Sequence, residues 1–333
     1  MKLFLSKIGA RQHTLSREVS FSGIGLHSGL PIAMVVKPAP AGNGIRFVRT
    51  DLGTEIPALM NRVVDTTLAT TIGRGEAMVS TTEHVLAALS GLGIDNAVIE
   101  LNGPEVPIMD GSAGPFVHLL KKIERCPQEA TRRMIKITRE LSCSAGESTI
   151  TIRPHDGFRV TCEIDFTHQM IRRQRYSVEV TPKRFIREIS TARTFGFVEQ
   201  VEQLRANGLA LGGSLANAVV MDRTGVLNVE GLRFNDEFVR HKVLDLIGDL
   251  ALMGCPLLGH VIASRPGHGL HLSLMKELVA HPECWEFVAL EECEDQGVFA
   301  RVVSGTVEAG QMIMPFLVPA SRQVASSPGA RSS

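Results

Sequence analysis

The sequence predicts two related α+β domains, and three observations predict them. The chain has 333 residues, about twice the roughly 150 residues of a typical domain. Its two halves rhyme, each carrying a helix with a histidine, a glycine stop, a strand and a glycine-rich loop. Between them, residues 126–133 join a proline to mixed polar residues and are the expected junction. The first domain is therefore expected over residues 1–127 and the second over 132–318.

Taken in order, residues 18–48 hold short apolar runs of strand type around the turn Ser22-Gly23-Ile24-Gly25-Leu26-His27-Ser28-Gly29, which sets His27 at an exposed bend. Residues 81–92 read as a helix. Thr81 or Thr82 can cap it, Glu83 favours its first turn, Val85, Leu86, Ala88 and Leu89 form its apolar face, and Gly91 and Gly93 end it. A strand over 94–101, a Pro/Gly-rich loop over 102–114 and an amphipathic helix over 115–124 follow. In the second half, strands fill 134–180, helices cover 182–189, 198–207 and 236–253, a strand runs over 258–264, and 265–269 form a loop. Residues 319–333, rich in Ser, Ala and Arg with little to bury, are expected to be a disordered tail.

Composition narrows the function classes. The chain balances 35 basic against 35 acidic side chains and has one Trp and one Tyr, which argues against nucleic-acid binding. Its six cysteines form no CxxC pair, so neither a disulfide scaffold nor a Cys-ligated metal is expected, and the thiols fit a reducing cytoplasm. The N-terminal apolar run is too short for a signal peptide, and the most apolar windows fall short of the roughly 20 residues of a bilayer span. A soluble cytoplasmic protein is expected, monomeric by default and still able to meet a membrane surface.

The chemistry is carried by histidines and carboxylates. His241 and Asp245, four apart on the long helix, share one face, and Asp249 extends that stripe beside Lys242. His84 is the natural third ligand. Two imidazoles and one carboxylate leave a fourth position for water, the open arrangement of catalytic zinc, and the neighbouring Glu83 can take the water proton. The HExxH motif is absent. The same residues also read as a surface hydrogen bond in the His241/Asp245 pair, and as a carboxylate and a cap that favour the helix start in Glu83 and His84. His268, between Gly267 and Gly269, can protonate a leaving amine with Asp249 holding its ring, or be a plain turn residue. Thr194, before Phe195, can donate to an oxyanion.

Six motifs in order give these fragments their specificity: Ser80-Thr81-Thr82-Glu83-His84 with Gly91-Leu92-Gly93-Ile94-Asp95-Asn96, Pro107-Ile108-Met109-Asp110-Gly111-Ser112, Arg193-Thr194-Phe195-Gly196-Phe197, Glu237-Phe238-Val239-Arg240-His241-Lys242, Asp245 with Asp249, and Gly267-His268. Together the chain resembles the UDP-3-O-acyl-N-acetylglucosamine deacetylases of lipid A synthesis from about residue 23 to 285. The resemblance implies a zinc hydrolase with its helices packed face to face between outer sheets and the metal at the domain junction. By matching position it makes His84, His241 and Asp245 the zinc ligands, Glu83 the general base, His268 the general acid oriented by Asp249, and Thr194 a partner for the oxyanion. It places Phe195 and Lys242 at the sugar and its phosphates, Phe166 at the uracil, and Leu26 and Gly267 among the substrate contacts. Residues 198–220 correspond to an insert that forms the acyl passage, with apolar side chains around Gly208, Gly212 and Gly213. Two departures stand out: Ser148 occupies a position that is often basic, so that Arg153 or another cation takes over the phosphates, and Ala69 stands where some members have cysteine. The competing functions are hydrolysis of another N-acyl sugar or a peptide amide, and silent binding of a metal or nucleotide sugar. Glu83 and His268, which binding alone does not need, argue for catalysis.

Overall fold

The computed structural model describes residues 9–293 and 297–302. The expected tail over 319–333, and residues 303–318 before it, lie outside the described residues. In the first half, period-two burial builds a sheet: Ile32, Met34 and Val36 of strand Pro31–Pro38 and Ala97, Ile99 and Leu101 of strand Ala97–Leu101 face the core. The spatial order is Val19–Ile24, Pro31–Pro38, Ala97–Leu101, Ile45–Arg49, Thr54–Pro57. Only the contact of Ile45–Arg49 with Ala97–Leu101 is parallel.

The second sheet has eight strands centred on Leu257–Ser264, whose first five residues are all buried. That strand lies antiparallel to Ser148–Arg153 and parallel to Phe158–Asp165 and Arg133–Ile137. Such a strand, buried along most of its length and apolar but for His260 and Ser264, suits a position covered on both faces.

Between the sheets lie the helices α1 (Glu83–Leu92), α2 (Gly114–Leu120), α4 (Glu237–Leu250) and α5 (His268–Ala280), while α3 (Val198–Ala206), with no buried residue, follows the short strand Phe195–Phe197. Phe116 of α2 packs edge-on against Phe21 of the first sheet, with ring centroids 5.1 Å apart. On the other side, α4 packs on strands Phe158–Asp165 and Arg173–Glu179, and α5 on Leu141–Ala145 and Ser148–Arg153. The two halves meet where α1 crosses α4. A Cβ added at Gly248 would stand 2.0 Å from the carbonyl oxygen of Glu83, so this crossing requires glycine. Helices thus fill the space between outer sheets in an α+β fold, and no helix among the described residues is long and apolar enough to cross a membrane.

Several local expectations are corrected. Residues 126–133 are not a free linker. Strand Arg125–Thr131 pairs antiparallel with Arg11–Leu15, and Arg132 is buried on Asp95, 2.6 Å away, and on the carbonyl of Gly93. Helix α2 stops at Leu120, four residues early. His268 is the first residue of α5 and not part of a loop over 265–269; the Pro-Gly pair before it ends the turn and leaves Gly267 as the N-cap. Thr82 caps α1 by position only, because its hydroxyl donates to the Thr70 carbonyl.

Candidate active site

Helix α1 delivers Glu83 and His84 from a strained approach. Thr81 has φ 57°, a left-handed conformation that a β-branched residue rarely adopts. It is held there by Glu105, 1% exposed, which accepts from the Thr81 hydroxyl at 3.0 Å and from the backbone N–H groups of His27 and Ser28 at 2.9 and 2.8 Å. One buried carboxylate therefore ties the glycine-rich turn to the start of α1. His27 is not exposed at that turn as expected: both its ring nitrogens are buried without a partner among the described residues.

Three ligand atoms converge where α1 meets α4. His241 donates from Nδ1 to the Ala192 carbonyl at 3.0 Å, which places the free electron pair on Nε2. That nitrogen lies 3.2 Å from Oδ1 of Asp245, and Nε2 of His84 lies 3.6 Å from the same oxygen. Burial, with further contributions from His84 and Lys242, pushes His241 down to about 3 against the opposing charge of Asp245, so its ring is neutral. Two electron-pair donors facing each other at 3.2 Å call for a cation between them. The buried Oδ1 of Asp245 has no hydrogen-bond partner among the described residues, and His84, His241 and Asp245 form a group able to hold a metal ion. These residues fit a zinc ion of the open, catalytic type. Lys242 donates to Oδ2 of Asp245 at 2.9 Å and leaves Oδ1 free.

One helical turn further along α4, Asp249 behaves differently. Its Oδ1 accepts from the Thr70 hydroxyl at 2.5 Å, and its Oδ2 accepts from Nδ1 of His268 and from Nδ1 of His271, both at 2.7 Å. Although burial opposes the charged form of His268, the charge and hydrogen bond of Asp249 and the charge of Glu83 outweigh it and raise His268 to about 9. Burial pushes Glu83 upward, against the attraction of His268 and His84. Its Oε2 accepts the backbone N–H of Thr70 at 3.0 Å, so Thr70 positions both the carboxylate of Glu83 and that of Asp249. Although they open a helix, Glu83 and His84 are each only 3% exposed.

The remaining expected residues divide. Phe195 brings its ring 6.4 Å from that of His241 and 5.8 Å from Nζ of Lys242, and Phe166 packs on Phe195 at 5.8 Å. Thr194 is anchored through its backbone, donating to Gly111 and accepting from Val219 at 2.8 Å each, with no hydroxyl contact to the metal-type group. The carbonyls of Leu26 and His27 accept from Gly212 and Leu211, docking the 198–220 segment onto the first-half turn. His27, Ala69 and Leu209 line a cavity of about 210 Å³ beside it. Gly267 precedes α5, where its carbonyl accepts from Leu270 and His271. Near Ser148 the cation is Arg265, bridging Glu147 and Asp165; Arg153 instead lies beside His260 on the far part of its strand. A larger cleft of about 700 Å³, lined by Leu86, Leu89, Ile247 and Leu250, contains none of the convergent histidines.

Residues 12–280 match the family model described as UDP-3-O-acyl N-acetylglycosamine deacetylase. The chain belongs to that deacetylase family. Relatives named UDP-3-O-acyl-N-acetylglucosamine deacetylase include one from Myxococcus xanthus (strain DK1622), 48% identical over 86% of this chain and 92% of its own length. Another, from Anaeromyxobacter sp. (strain Fw109-5), is 47% identical over 90% of this chain and 98% of its length. A third, from Pseudomonas entomophila (strain L48), is 48% identical over 85% and 94%. The matched span of this deacetylase contains both histidine clusters.

Sequence reasoning missed four residues of the deacetylase site. Thr70 and Glu105 act through contacts distant in sequence. His271 carried a signal, since it lies three residues after His268 and so shares its helical face, but only if a helix is read there. Arg193, 2% exposed, donates through Nε and its backbone N–H to Glu237, itself fully buried, and so clamps the segment containing Ala192 to the start of α4.

Proposed function

We propose that this deacetylase hydrolyses the N-acetyl group of UDP-3-O-(3-hydroxyacyl)-N-acetylglucosamine, releasing acetate and the free amine in lipid A biosynthesis in the cytoplasm. The observation that carries the reading is the pairing of a neutral, metal-ready His241 on α4 with a charge-stabilised His268 at the start of α5, held by carboxylates one turn apart on α4 and across from a buried Glu83. His84, His241 and Asp245 would hold zinc, which when bound polarises the amide carbonyl and acidifies the attacking water.

The protein's own groups supply the proton transfers. Glu83, raised by burial and oriented by the Thr70 N–H, accepts the proton of the water as it attacks. His268 donates to the departing nitrogen, with Nδ1 committed to Asp249 so that its other nitrogen faces the reaction. An amine is a poor leaving group, so both a base and an acid are needed. The Thr194 hydroxyl helps hold the oxyanion, while Phe195, Lys242, Phe166, Leu26 and Gly267 bind the sugar, phosphates, uracil and neighbouring substrate groups. Arg265, beside Ser148, is the cation suited to the phosphates. Exposed Leu211 and Leu215 in the 198–220 segment, next to the cavity reached by Leu209, suit a long acyl chain.

The test is acetate release from the UDP-linked acylated N-acetylglucosamine by purified protein, before and after chelation and with zinc restored. Activity that disappears with chelator and returns with zinc is expected. No release from folded, zinc-loaded protein would remove the assignment of this substrate.

A further inference from the structure

We propose that His271 is a positioning residue for the reaction: by donating from Nδ1 to the carboxylate oxygen that holds His268, it locks Asp249 and limits how strongly that carboxylate binds the proton donor. The inference rests on the reading of His268 as the acid. Its basis is geometric. His271 is fully buried on α5, three residues after His268, and its Nδ1 lies 2.7 Å from Oδ2 of Asp249, as does Nδ1 of His268. The two rings stand 6.0 Å apart at 84°, so they approach the shared oxygen from different directions.

The other ring nitrogen of His271, Nε2, is buried and has no hydrogen-bond partner among the described residues. A leucine of similar size would fill this place without stranding a polar atom, so the histidine costs stability that its packing does not explain. What it supplies is the bond to Asp249. With the Thr70 hydroxyl on Oδ1 and two N–H donors on Oδ2, the carboxylate has three fixed donors and no rotational freedom. Every donor added to a carboxylate also spreads its charge, which weakens the hold of that carboxylate on each. His271 therefore orients His268 and at the same time makes its proton easier to release.

The groups facing His268 from each packed element are Asp249 and Asp245 on α4, Glu83 on α1, Thr70 at 3.2 Å from the preceding segment, His27 from the glycine-rich turn and His271 on its own helix. Of these, His271 can be altered without touching the metal-type group or the reacting atoms.

The experiment compares H271L, which keeps volume and loses the donor, with H271N, whose amide N–H reaches the place of Nδ1. Each is measured as zinc-loaded protein for kcat, KM and the pH dependence of kcat, with metal content and thermal midpoint alongside. H271L is expected to lower kcat about tenfold with KM within about twofold, and to move the alkaline limb to higher pH because Asp249 then holds the His268 proton more tightly. H271N is expected to recover most of kcat and the original limb. Unchanged kcat and limb in H271L would overturn the proposal. So would an H271N as impaired as H271L, since packing alone would then explain both. If H271L does not fold, the imidazole 15N spectrum of the wild-type holoenzyme decides: a hydrogen-bonded Nδ1 proton on His271, assigned by its loss in H271N, supports the proposal, and its absence overturns it. Activity lost altogether in the wild type would overturn the deacetylase reading itself, a result separable from any difference between the variants.

Discussion

Asp245 and Asp249 are the same residue type, one turn apart on one helix and about equally buried, yet the imidazoles beside them shift in opposite directions. Around Asp245 the proton of His241 is committed to the Ala192 carbonyl, so an electron pair faces the carboxylate and burial drives the ring down to about 3. Around Asp249 the protons of His268 and His271 face the carboxylate, and His268 is raised to about 9 against the penalty of burial. The Asp245 group leaves a buried acceptor unpaired among the described residues, whereas each oxygen of Asp249 has a donor. Burial and charge alone do not set what a histidine does. The backbone groups that claim its second nitrogen decide whether it offers a lone pair to a metal or a proton to a substrate.

The contrast can be broken most severely on the metal side. Asp245→Ala is expected to remove bound zinc and lower acetate release by at least about 10³-fold, the several kcal/mol that a Lewis acid contributes; metal analysis with the rate assay checks it, and full metal content would show that the group is misassigned. The proton side is expected to fail more gently. His268→Ala and Glu83→Gln should each keep zinc and lose about 10²- to 10⁴-fold in kcat. Glu83→Gln is expected to lose the acidic limb of the pH profile, since Glu83 acts deprotonated and its pKa is raised, and His268→Ala the alkaline limb near 9, since His268 acts protonated. Both limbs persisting in either variant would remove that role.

The smallest effect concerns stability. His268 is raised from 6.5 to about 9 in the folded protein, so its contribution is complete below pH 6.5 and is lost as pH rises through about 9. Denaturant unfolding of the wild type should weaken over that range by a few kcal/mol at most, and less in His268→Gln. Equal slopes in the two proteins would show that Asp249 does not favour the charged ring.

Much of this site was legible because helical spacing is a local rule. Four-residue intervals on one helix put His241, Asp245 and Asp249 on one face, and the structure keeps them there. Local chain rules also carried most of α1 and the strand-rich first half. They failed at residues 126–133, where polar residues pair into a sheet with the N-terminal strand 110 or so positions away in the chain. They failed again at His268, where a Pro-Gly pair read as a loop in fact starts a helix, which hid His271. His27 was placed outside because a glycine-rich turn is usually exposed; the 198–220 segment covers it.

Composition and periodicity by themselves determined the α+β class, the location of the helices that carry His84 and His241, and the kinds of group able to act as ligand, base and acid. Tertiary structure alone decided which nitrogen of each histidine is free, since that depends on partners such as Ala192 for His241 and Asp249 for His268 and His271, brought from other elements of the fold. Helical periodicity fixes the direction of a side chain, but a proton settles on whichever atom has an acceptor within hydrogen-bond reach, and those acceptors are placed only when the two sheets close around the helices.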